Sequence, residues 1–182
     1  MRKLSIFIAM SLDGYIAKPN DDLNFLKMVE KEDEDYGYMQ FTDTIDTLII
    51  GRKTYDYVIK EIGDAHYDNG ERAIYVITRT ERPDAGRVKF YTGDLPDLIR
   101  DLKDQDGKNI YCDGGSEIIN ELLKSGLIDE LIISIIPVLL GEGIRLFKDG
   151  RPEQKLQFVS AKTYDTGLVQ LYYKRGDGLF TA

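Results

Sequence analysis

Short apolar runs alternate with amphipathic stretches along most of the chain. Alternating or continuous apolar residues predict strands at 3–10, 46–50, 73–78, 87–91, 108–112, 130–137, 155–164 and 168–174. Apolar residues at three- and four-residue spacing predict helices at 33–43, 52–61, 94–105 and 115–125. Strand and helix alternate through the first two-thirds of the chain, which is typical of a parallel sheet with right-handed crossovers.

The last third of the chain has a different pattern. Two β-rich runs, 158–164 and 168–173, are separated by the turn residues 165–167 and therefore predict a hairpin. The expected fold class is α/β, with a central mixed, mostly parallel sheet that ends in an antiparallel C-terminal hairpin. No repeat or Pro- and Gly-rich linker divides the sequence. We therefore expect a single domain over 1–175 and a loose tail over 176–182.

Two predicted strands stop on glycine and turn directly into helices. One junction lies within 109–119, where Gly114 and Gly115 follow the strand, and the other is 51–54, which adds two cations and a hydroxyl. A helix start offers free N–H groups and a partial positive charge, both of which suit phosphate. Each junction alone is more often a simple turn than a phosphate site, but two such junctions favour a ligand with several phosphates, such as a dinucleotide. Neither matches the Rossmann or P-loop motif.

The loop that follows the first strand, 11–25, mixes turn residues with apolar ones. Loops at the carboxyl ends of strands are where open sheets bind ligands. Its apolar side chains could cover a flat ring; they are Leu12, Tyr15, Ile16 and Phe25. The alternative is a plain surface loop that these side chains anchor.

Composition excludes several classes of protein. The 182 residues carry a net charge of -8 and no long basic run, which argues against nucleic acid as a partner. The only cysteine, Cys112, and the only histidine, His66, cannot build a disulfide or a zinc cluster, so we expect a reduced cytoplasmic setting. Cys112 lies in an apolar strand pattern and is expected to be a buried thiol, whereas His66 is expected in a surface loop. The longest apolar stretch, 131–140, is about half the length of a membrane helix, so no membrane partner is expected.

The ordered motifs resemble the dihydrofolate reductase-like family. The closest similarity is to the reductase domain of bifunctional riboflavin-biosynthesis deaminase/reductases and its stand-alone bacterial relatives. The motifs that carry the resemblance are 9–17 (AMSLDGYIA), 50–55 (IGRKTY), 75–79 (YVITR), 113–117 (DGGSE) and 137–143 (PVLLGEG). The resemblance implies a three-layer fold with helices on both faces of the sheet, and NADPH as hydride donor.

The resemblance also implies a set of cofactor contacts. Backbone groups of Ala9 and Ile16 would meet the nicotinamide amide, and Thr78 and Arg79 would face the 2′-phosphate. The glycine junctions would hold the pyrophosphate. The complete set is Ala9, Ile16, Gly51, Arg52, Lys53, Thr54, Thr78, Arg79, Asp113, Gly114, Gly115, Ser116, Glu117 and Ile118. An arginine fork suits an extra phosphate on independent physical grounds, because it can bind two oxygens at once.

Asp35 is the candidate catalytic residue. It lies 16 residues before Gly51, where the resemblance to dihydrofolate reductases places the acid that assists pterin protonation. A proton donor at this position requires a pocket and a raised pKa, and on the expected helix Asp35, Tyr38 and Met39 would share a face. The alternative is that the acidic run 30–35 is a solvated helix start.

The expected function is an NADPH-dependent reductase of a small heterocyclic or ribityl substrate, similar to 5-amino-6-(5-phosphoribosylamino)uracil reductase. Dihydrofolate reductase is an alternative, although 61–71 lacks the arginine that would bind the folate tail. A non-catalytic nucleotide-binding module is an alternative of another class. A homodimer is also expected, because 131–138 is apolar on both faces and the riboflavin-type reductases commonly pair. Helices of the same chain are the other possible cover for that strand.

Overall fold

The protein is described here from a computed structural model that covers residues 1–63 and 72–176. The expectations for His66 and for the tail beyond Gly176 lie outside the described residues.

An eight-stranded sheet forms the centre of the molecule, in the order β5-β4-β3-β6-β1-β7-β10-β9. Neighbours from β5 to β7 pair in parallel, and β10 pairs antiparallel with both β7 and β9. The strands are β1 Leu4–Ser11, β3 Ile45–Gly51, β4 Ala73–Ile77, β5 Val88–Tyr91, β6 Asn109–Gly114, β7 Glu130–Ile136, β9 Leu156–Thr163 and β10 Val169–Arg175. The expectation of a mixed, mostly parallel sheet with a C-terminal hairpin is confirmed.

Within the described residues, four α-helices flank the sheet: α1 Tyr38–Thr42, α2 Arg52–Ile62, α3 Leu95–Asp104 and α4 Ser116–Lys124. Two short 3₁₀ helices, Pro19–Asp21 and Asn24–Val29, follow a short strand, β2 Tyr15–Ala17. That strand pairs with β8, Ile144–Arg145, in a separate two-stranded sheet. The sequence pattern did not predict β2 or β8, because two- and three-residue strands show no readable periodicity.

Side-chain alternation along the strands places one core on each face of the sheet. On β3, Ile49 joins the cluster that contains the apolar faces of α3 and α4, whereas Leu48 and Ile50 join a second cluster with Phe41 and Tyr55. The second cluster therefore receives side chains from α1 and α2. Helices on both faces give the three layers expected from the resemblance.

The helix expected over 33–43 is too long. The described helix begins only at Tyr38, because Asp33, Tyr36 and Gly37 have positive φ angles of 62°, 56° and 82°. Backbone in this left-handed region cannot continue a right-handed helix. Asp35 therefore precedes the helix and shares no helical face with Tyr38 or Met39.

Strand β7 lies between β1 and β10, and five of its seven residues are buried by this chain. Leu131 and Ile133 belong to the core under α3 and α4, and Ile136 packs with Phe25 and Leu168 on another cluster. Elements of the same chain thus cover both faces, so β7 no longer argues for a dimer.

Candidate active site

The two glycine junctions lie against each other at the carboxyl edge of the sheet. Strands β3 and β6 are parallel neighbours, and Ile50 pairs with Gly114. A Cβ atom added to Gly51 would lie 3.4 Å from the Gly115 nitrogen, and one added to Gly115 would lie 3.0 Å from Thr54 Oγ1. Absence of side chains at these positions therefore brings two helix starts together. The sequence predicted two separate phosphate sites, and the structure joins them into one.

Both helix starts keep their first-turn N–H groups clear of side-chain caps. Within the described residues, no side-chain cap bond is made at Gly51 before α2 or at Gly115 before α4. Helix α3 begins differently, since the Asp94 carboxylate accepts a hydrogen bond of 2.9 Å from the Asp97 N–H. Uncapped N–H groups at a helix start are donors that an anion can use. The α2 and α4 starts thus form one shared cradle of backbone donors.

Cations stand beside this cradle. Arg52 donates to Asp56 at 2.7 Å, and Arg82 reaches the same carboxylate at 2.9 Å. Arg79 follows β4 and is exposed, as is Lys53 in the first turn of α2. In a chain of net charge -8, this grouping gives one sheet edge a locally positive character.

Thr78 and Arg79 occupy the loop after β4, as expected. The buried Thr78 hydroxyl donates to the Thr80 carbonyl and accepts from the Thr80 N–H, both at 3.1 Å, which shapes a tight turn. Glu117, in the first turn of α4, has its pKa lowered chiefly by the ammonium of Lys148 and to a lesser degree by Arg79. The loop after β4 therefore lies within electrostatic range of the α4 start.

Asp13 fastens the loop after β1 to the loop after β7. Its carboxylate accepts from the Ser11 hydroxyl at 2.5 Å, from the Leu140 N–H at 3.1 Å and from the Gly141 N–H at 2.7 Å. The Ser11 hydrogen bond, with these backbone donors, lowers the pKa of Asp13 to about 2. Ile16 lies in β2, near these hydrogen bonds, and packs against the core cluster that contains the apolar faces of α3 and α4. Phe25, expected as a possible ring cover, is instead a core residue at 2% exposure.

Helix α4 is tied to the segment after β8. The buried Asn120 amide donates to the Leu146 carbonyl and accepts from the Lys148 N–H, at 2.7 and 2.8 Å. The Ser116 hydroxyl donates to the Arg145 carbonyl at 2.6 Å. The sequence identified Ser116 only as part of the junction; its structural task is to fix the helix start against β8.

A cavity of about 610 Å³ opens beside the β1 side of this edge. Its lining combines apolar side chains, a buried serine and a run of charged residues. The lining residues are Phe7, Ala9, Leu26, Val29, Glu30, Lys31, Glu32, Glu34, Asp35, Tyr36, Tyr38, Ser134, Ile136 and Leu168. The volume is in the range of small-molecule sites, roughly 300–1,000 Å³. Ala9, expected at the nicotinamide, is therefore also a cavity residue.

A tyrosine pair connects this cavity to β6. Tyr38 lies against Phe7 with ring centroids 5.5 Å apart, and its hydroxyl is hydrogen-bonded to Tyr111. The Tyr111 hydroxyl donates to Asp113 Oδ1 at 2.6 Å and lies 3.0 Å from the Phe7 carbonyl oxygen. Burial and then the charge of Asp113 raise the pKa of Tyr38 to about 12. Asp113, expected among the cofactor contacts, thus points its carboxylate toward the tyrosines.

Asp35 lines the cavity, and its role as a proton donor stays a prediction. Its carboxylate accepts from the Met39 N–H at 2.7 Å and from the Gly37 N–H at 2.9 Å. These two hydrogen bonds lower the pKa of Asp35, and the side chain is exposed. The raised pKa required of a donor is not met, because backbone N–H groups stabilise the ionised form.

The structure separates the expected residues into two groups. The junction residues Gly51, Arg52, Lys53, Thr54, Thr78, Arg79, Gly114, Gly115, Ser116, Glu117 and Ile118 collect at the adjoining ends of β3, β4 and β6. Ala9, Ile16 and Asp35 lie elsewhere along the edge or at the cavity, and Asp113, next to Gly114 in β6, turns its carboxylate toward Tyr111. Sequence reasoning missed the cavity residue Ser134. The signal for Ser134 was a lone hydroxyl within the apolar strand β7.

Cys112 is buried, as expected, and burial raises the pKa of its thiol to about 12. It is therefore unreactive as a nucleophile. No helix among residues 1–63 and 72–176 is both long and apolar enough to cross a membrane.

Comparison with known proteins identifies relatives along the full length. Protein YwjB of Bacillus subtilis (strain 168) is 38% identical over 177 residues, covering 96% of this chain and 98% of the relative. Protein YyaP of the same organism is 31% identical over 181 residues, covering 94% of each. Both relatives are uncharacterized.

Solved structures share the fold. A protein from Shewanella sp. PV-4 that is named for riboflavin biosynthesis superposes with a TM-score of 0.84 at 30% identity, covering 96% of this chain and 99% of that one. The diaminohydroxyphosphoribosylaminopyrimidine deaminase/5-amino-6-(5-phosphoribosylamino)uracil reductase of Thermotoga maritima gives 0.71 at 15% identity, covering 96% of this chain and 57% of that enzyme. The dihydrofolate reductase-like fold expected from the motifs is confirmed. The model of the RibD C-terminal domain matches residues 2–170, and the chain therefore belongs to the RibD C-terminal domain family.

Proposed function

We propose that this protein is an NADPH-dependent reductase that transfers hydride to a small heterocyclic or ribityl substrate. The observation that carries the proposal is the joined cradle of Gly51 and Gly115, with two uncapped helix starts next to a small-molecule cavity. Its membership of the RibD C-terminal domain family supports a reductase. The cytoplasmic location expected from the single cysteine is part of the same proposal.

The described residues fit a dinucleotide phosphate. Side chains at Gly51 or Gly115 would fill the cradle, since added Cβ atoms would approach Ile118 and Thr54 at 3.1 and 3.0 Å. First-turn N–H groups of α2 and α4 would hold the pyrophosphate. Arg79 would hold the 2′-phosphate, since it is exposed beside the α4 start, and a guanidinium can bind two phosphate oxygens.

The bound cofactor would supply the hydride. The chain's own residues bind and orient. Asp13 fixes the loop that follows β1, the strand that carries Ala9, and Ser116 fixes the α4 start. Phe7 and Tyr38 give the cavity an aromatic wall against which a flat ring can stack. Apolar Ile136 and Leu168 exclude water from the other side.

A binding titration followed by a substrate panel tests this function. Titration should show tighter binding of NADPH than of NADH. The panel follows the loss of NADPH absorbance with dihydrofolate, with the aminopyrimidine ribosyl phosphate and with its dephosphorylated form. Absence of NADPH binding by the folded protein would refute the proposal, whereas binding without turnover of any panel member would favour the non-catalytic nucleotide-binding module.

We also propose that the protein forms a homodimer through the hairpin edge. Strand β9 is exposed along its whole length and carries large apolar side chains; Leu156 is 39% exposed, Phe158 58% and Val159 39%. An exposed apolar edge strand favours pairing with another chain. Light scattering should give a dimer mass for the wild type and a monomer mass for Phe158→Glu. A monomeric wild type at high protein concentration would contradict the proposal.

A further inference from the structure

The cavity beside Ala9 has a charge that bears on its substrate. Four carboxylates line it, those of Glu30, Glu32, Glu34 and Asp35. Lys31 is the one cation among the lining residues that the structure describes, and its ammonium binds Asp165 at 2.6 Å. The cation at this rim is therefore already neutralised by a fifth carboxylate.

Neighbouring cations do not reverse this sign. The pKa of Lys162 is raised chiefly by its hydrogen bond with Tyr164 and to a lesser degree by the charges of Glu34 and Asp35, and its ammonium lies 4.3 Å from the Tyr164 ring centroid. Arg72, the residue before β4, is close enough to Tyr38 of α1 to affect its pKa, and it donates to the Thr42 carbonyl at 3.0 Å. Carboxylates still outnumber cations around the opening.

Two of these carboxylates are held in place by backbone N–H groups. Asp35 accepts two backbone N–H bonds, which lower its pKa. Glu34 accepts from the Tyr36 N–H at 2.9 Å. The backbone of the segment before α1 therefore presents fixed negative charge to the cavity.

The floor of the cavity suits an uncharged ring. Phe7, Ala9, Ile136 and Leu168 are apolar, and the Ser134 hydroxyl, with its residue only 4% exposed, accepts from the Gln170 amide at 3.1 Å. Recognition of a phosphate ester needs arginines, lysines or several converging N–H groups. In this protein such groups gather at the joined glycine cradle, whereas the cavity rim carries negative charge.

We propose that the substrate held in this cavity is an uncharged or cationic amino-substituted heterocycle without a phosphate ester. The inference rests on the proposed function, because it takes the cavity as the substrate site. It separates this protein from the phosphorylated substrate in the name of the Thermotoga maritima enzyme. An amino-heterocycle offers N–H donors or a positive ring that the carboxylates can accept.

Three probes test the proposal by isothermal titration calorimetry in the presence of NADPH: 2,4-diaminopteridine, 5-amino-6-ribitylaminouracil and the 5′-phosphate of the latter. The last two form a matched pair that differs only in the phosphate. The ester should bind at least about tenfold more weakly than its dephosphorylated partner, a difference of about 1.4 kcal/mol. The diaminopteridine should bind, and its affinity should fall with added salt as exposed charges are screened.

The double variant Glu30→Gln/Glu32→Gln removes two rim charges at exposed positions. It should weaken the binding of 2,4-diaminopteridine. It should also reduce the difference in affinity between 5-amino-6-ribitylaminouracil and its 5′-phosphate. Glu153→Gln, at an exposed position outside the cavity lining, is the control for overall charge and should change neither. Equal or tighter binding of the ester, or no binding of the diaminopteridine at millimolar concentration, would overturn the inference. Cofactor titration is measured separately, so loss of NADPH binding would count against the proposed function instead.

Discussion

The joined glycine cradle and the neighbouring cavity lie along one sheet edge but carry opposite charge. The cradle combines two helix starts with Arg52, Arg79 and Arg82, whereas carboxylates dominate the cavity rim. A uniform edge would attract any anion along its length. Under the two proposals this difference gives the site a direction: a phosphate-rich cofactor would be anchored at one end and a phosphate-free ring would bind at the other.

Gly115→Val should have the largest effect of the variants on NADPH binding at the cradle. A Cβ atom there would lie 3.0 Å from Thr54 Oγ1 and would occupy the space between the two helix starts. We expect NADPH binding to become undetectable by fluorescence titration while circular dichroism shows a folded protein. Gly114 is a poorer test, because its φ of 118° strains any other residue and would confuse folding with binding. Normal affinity in folded Gly115→Val would show that the junction is only a turn.

Arg79→Ala should sharpen the comparison by removing one cation. A lost charge-assisted hydrogen bond is worth about 1.5–3 kcal/mol, which corresponds to a roughly 10- to 150-fold weaker Kd for NADPH. NADH lacks the 2′-phosphate, so its Kd should change little. Arg100→Ala removes an exposed arginine on α3 that pairs with Asp97 and serves as the control. Equal losses for both cofactors would exclude the 2′-phosphate role.

Asp13→Asn should weaken the contact between the loop after β1 and the loop after β7. Hydrogen bonds hold the pKa of Asp13 at about 2, below its ordinary value of 3.8, so the unfolded state binds its proton more tightly than the folded state does. The stabilisation is present above pH 3.8 and is lost as pH falls toward 2. Thermal melts should show a lower Tm for the variant at pH 7 and a shrinking difference below about pH 4. A difference in Tm that stays constant across this pH range would contradict a stabilising role for the Asp13 hydrogen bonds.

Asp35→Asn should have the smallest effect on turnover. The lowered pKa of Asp35 keeps its carboxylate ionised at neutral pH, so it has no proton to donate there. We expect the pH profile of kcat on an accepted substrate to match that of the wild type. The binding of 2,4-diaminopteridine should be weaker. Loss of kcat together with a shifted acidic limb would restore Asp35 as the proton donor.

The sheet was largely readable from the sequence because strands and helices leave different periods. The region before α1 was not readable. Its acidic residues suit an exposed helix start, and only the left-handed backbone at Asp33, Tyr36 and Gly37 turns the chain instead. That turn aims Glu34 and Asp35 at the cavity, which no local pattern indicates.

Local sequence patterns predicted the mixed sheet, the two glycine junctions and the cations beside them, because periodicity, glycine and charge are local properties. The tertiary structure was needed to show that the junctions form one cradle, since this depends on β3 and β6 pairing in parallel across a long sequence separation. It also decided the cavity, whose lining comes from β1, β7, the segment before α1 and the residue before β10. Contacts between residues so far apart in the chain arise from packing of the whole sheet, and their charge balance becomes visible only once they meet.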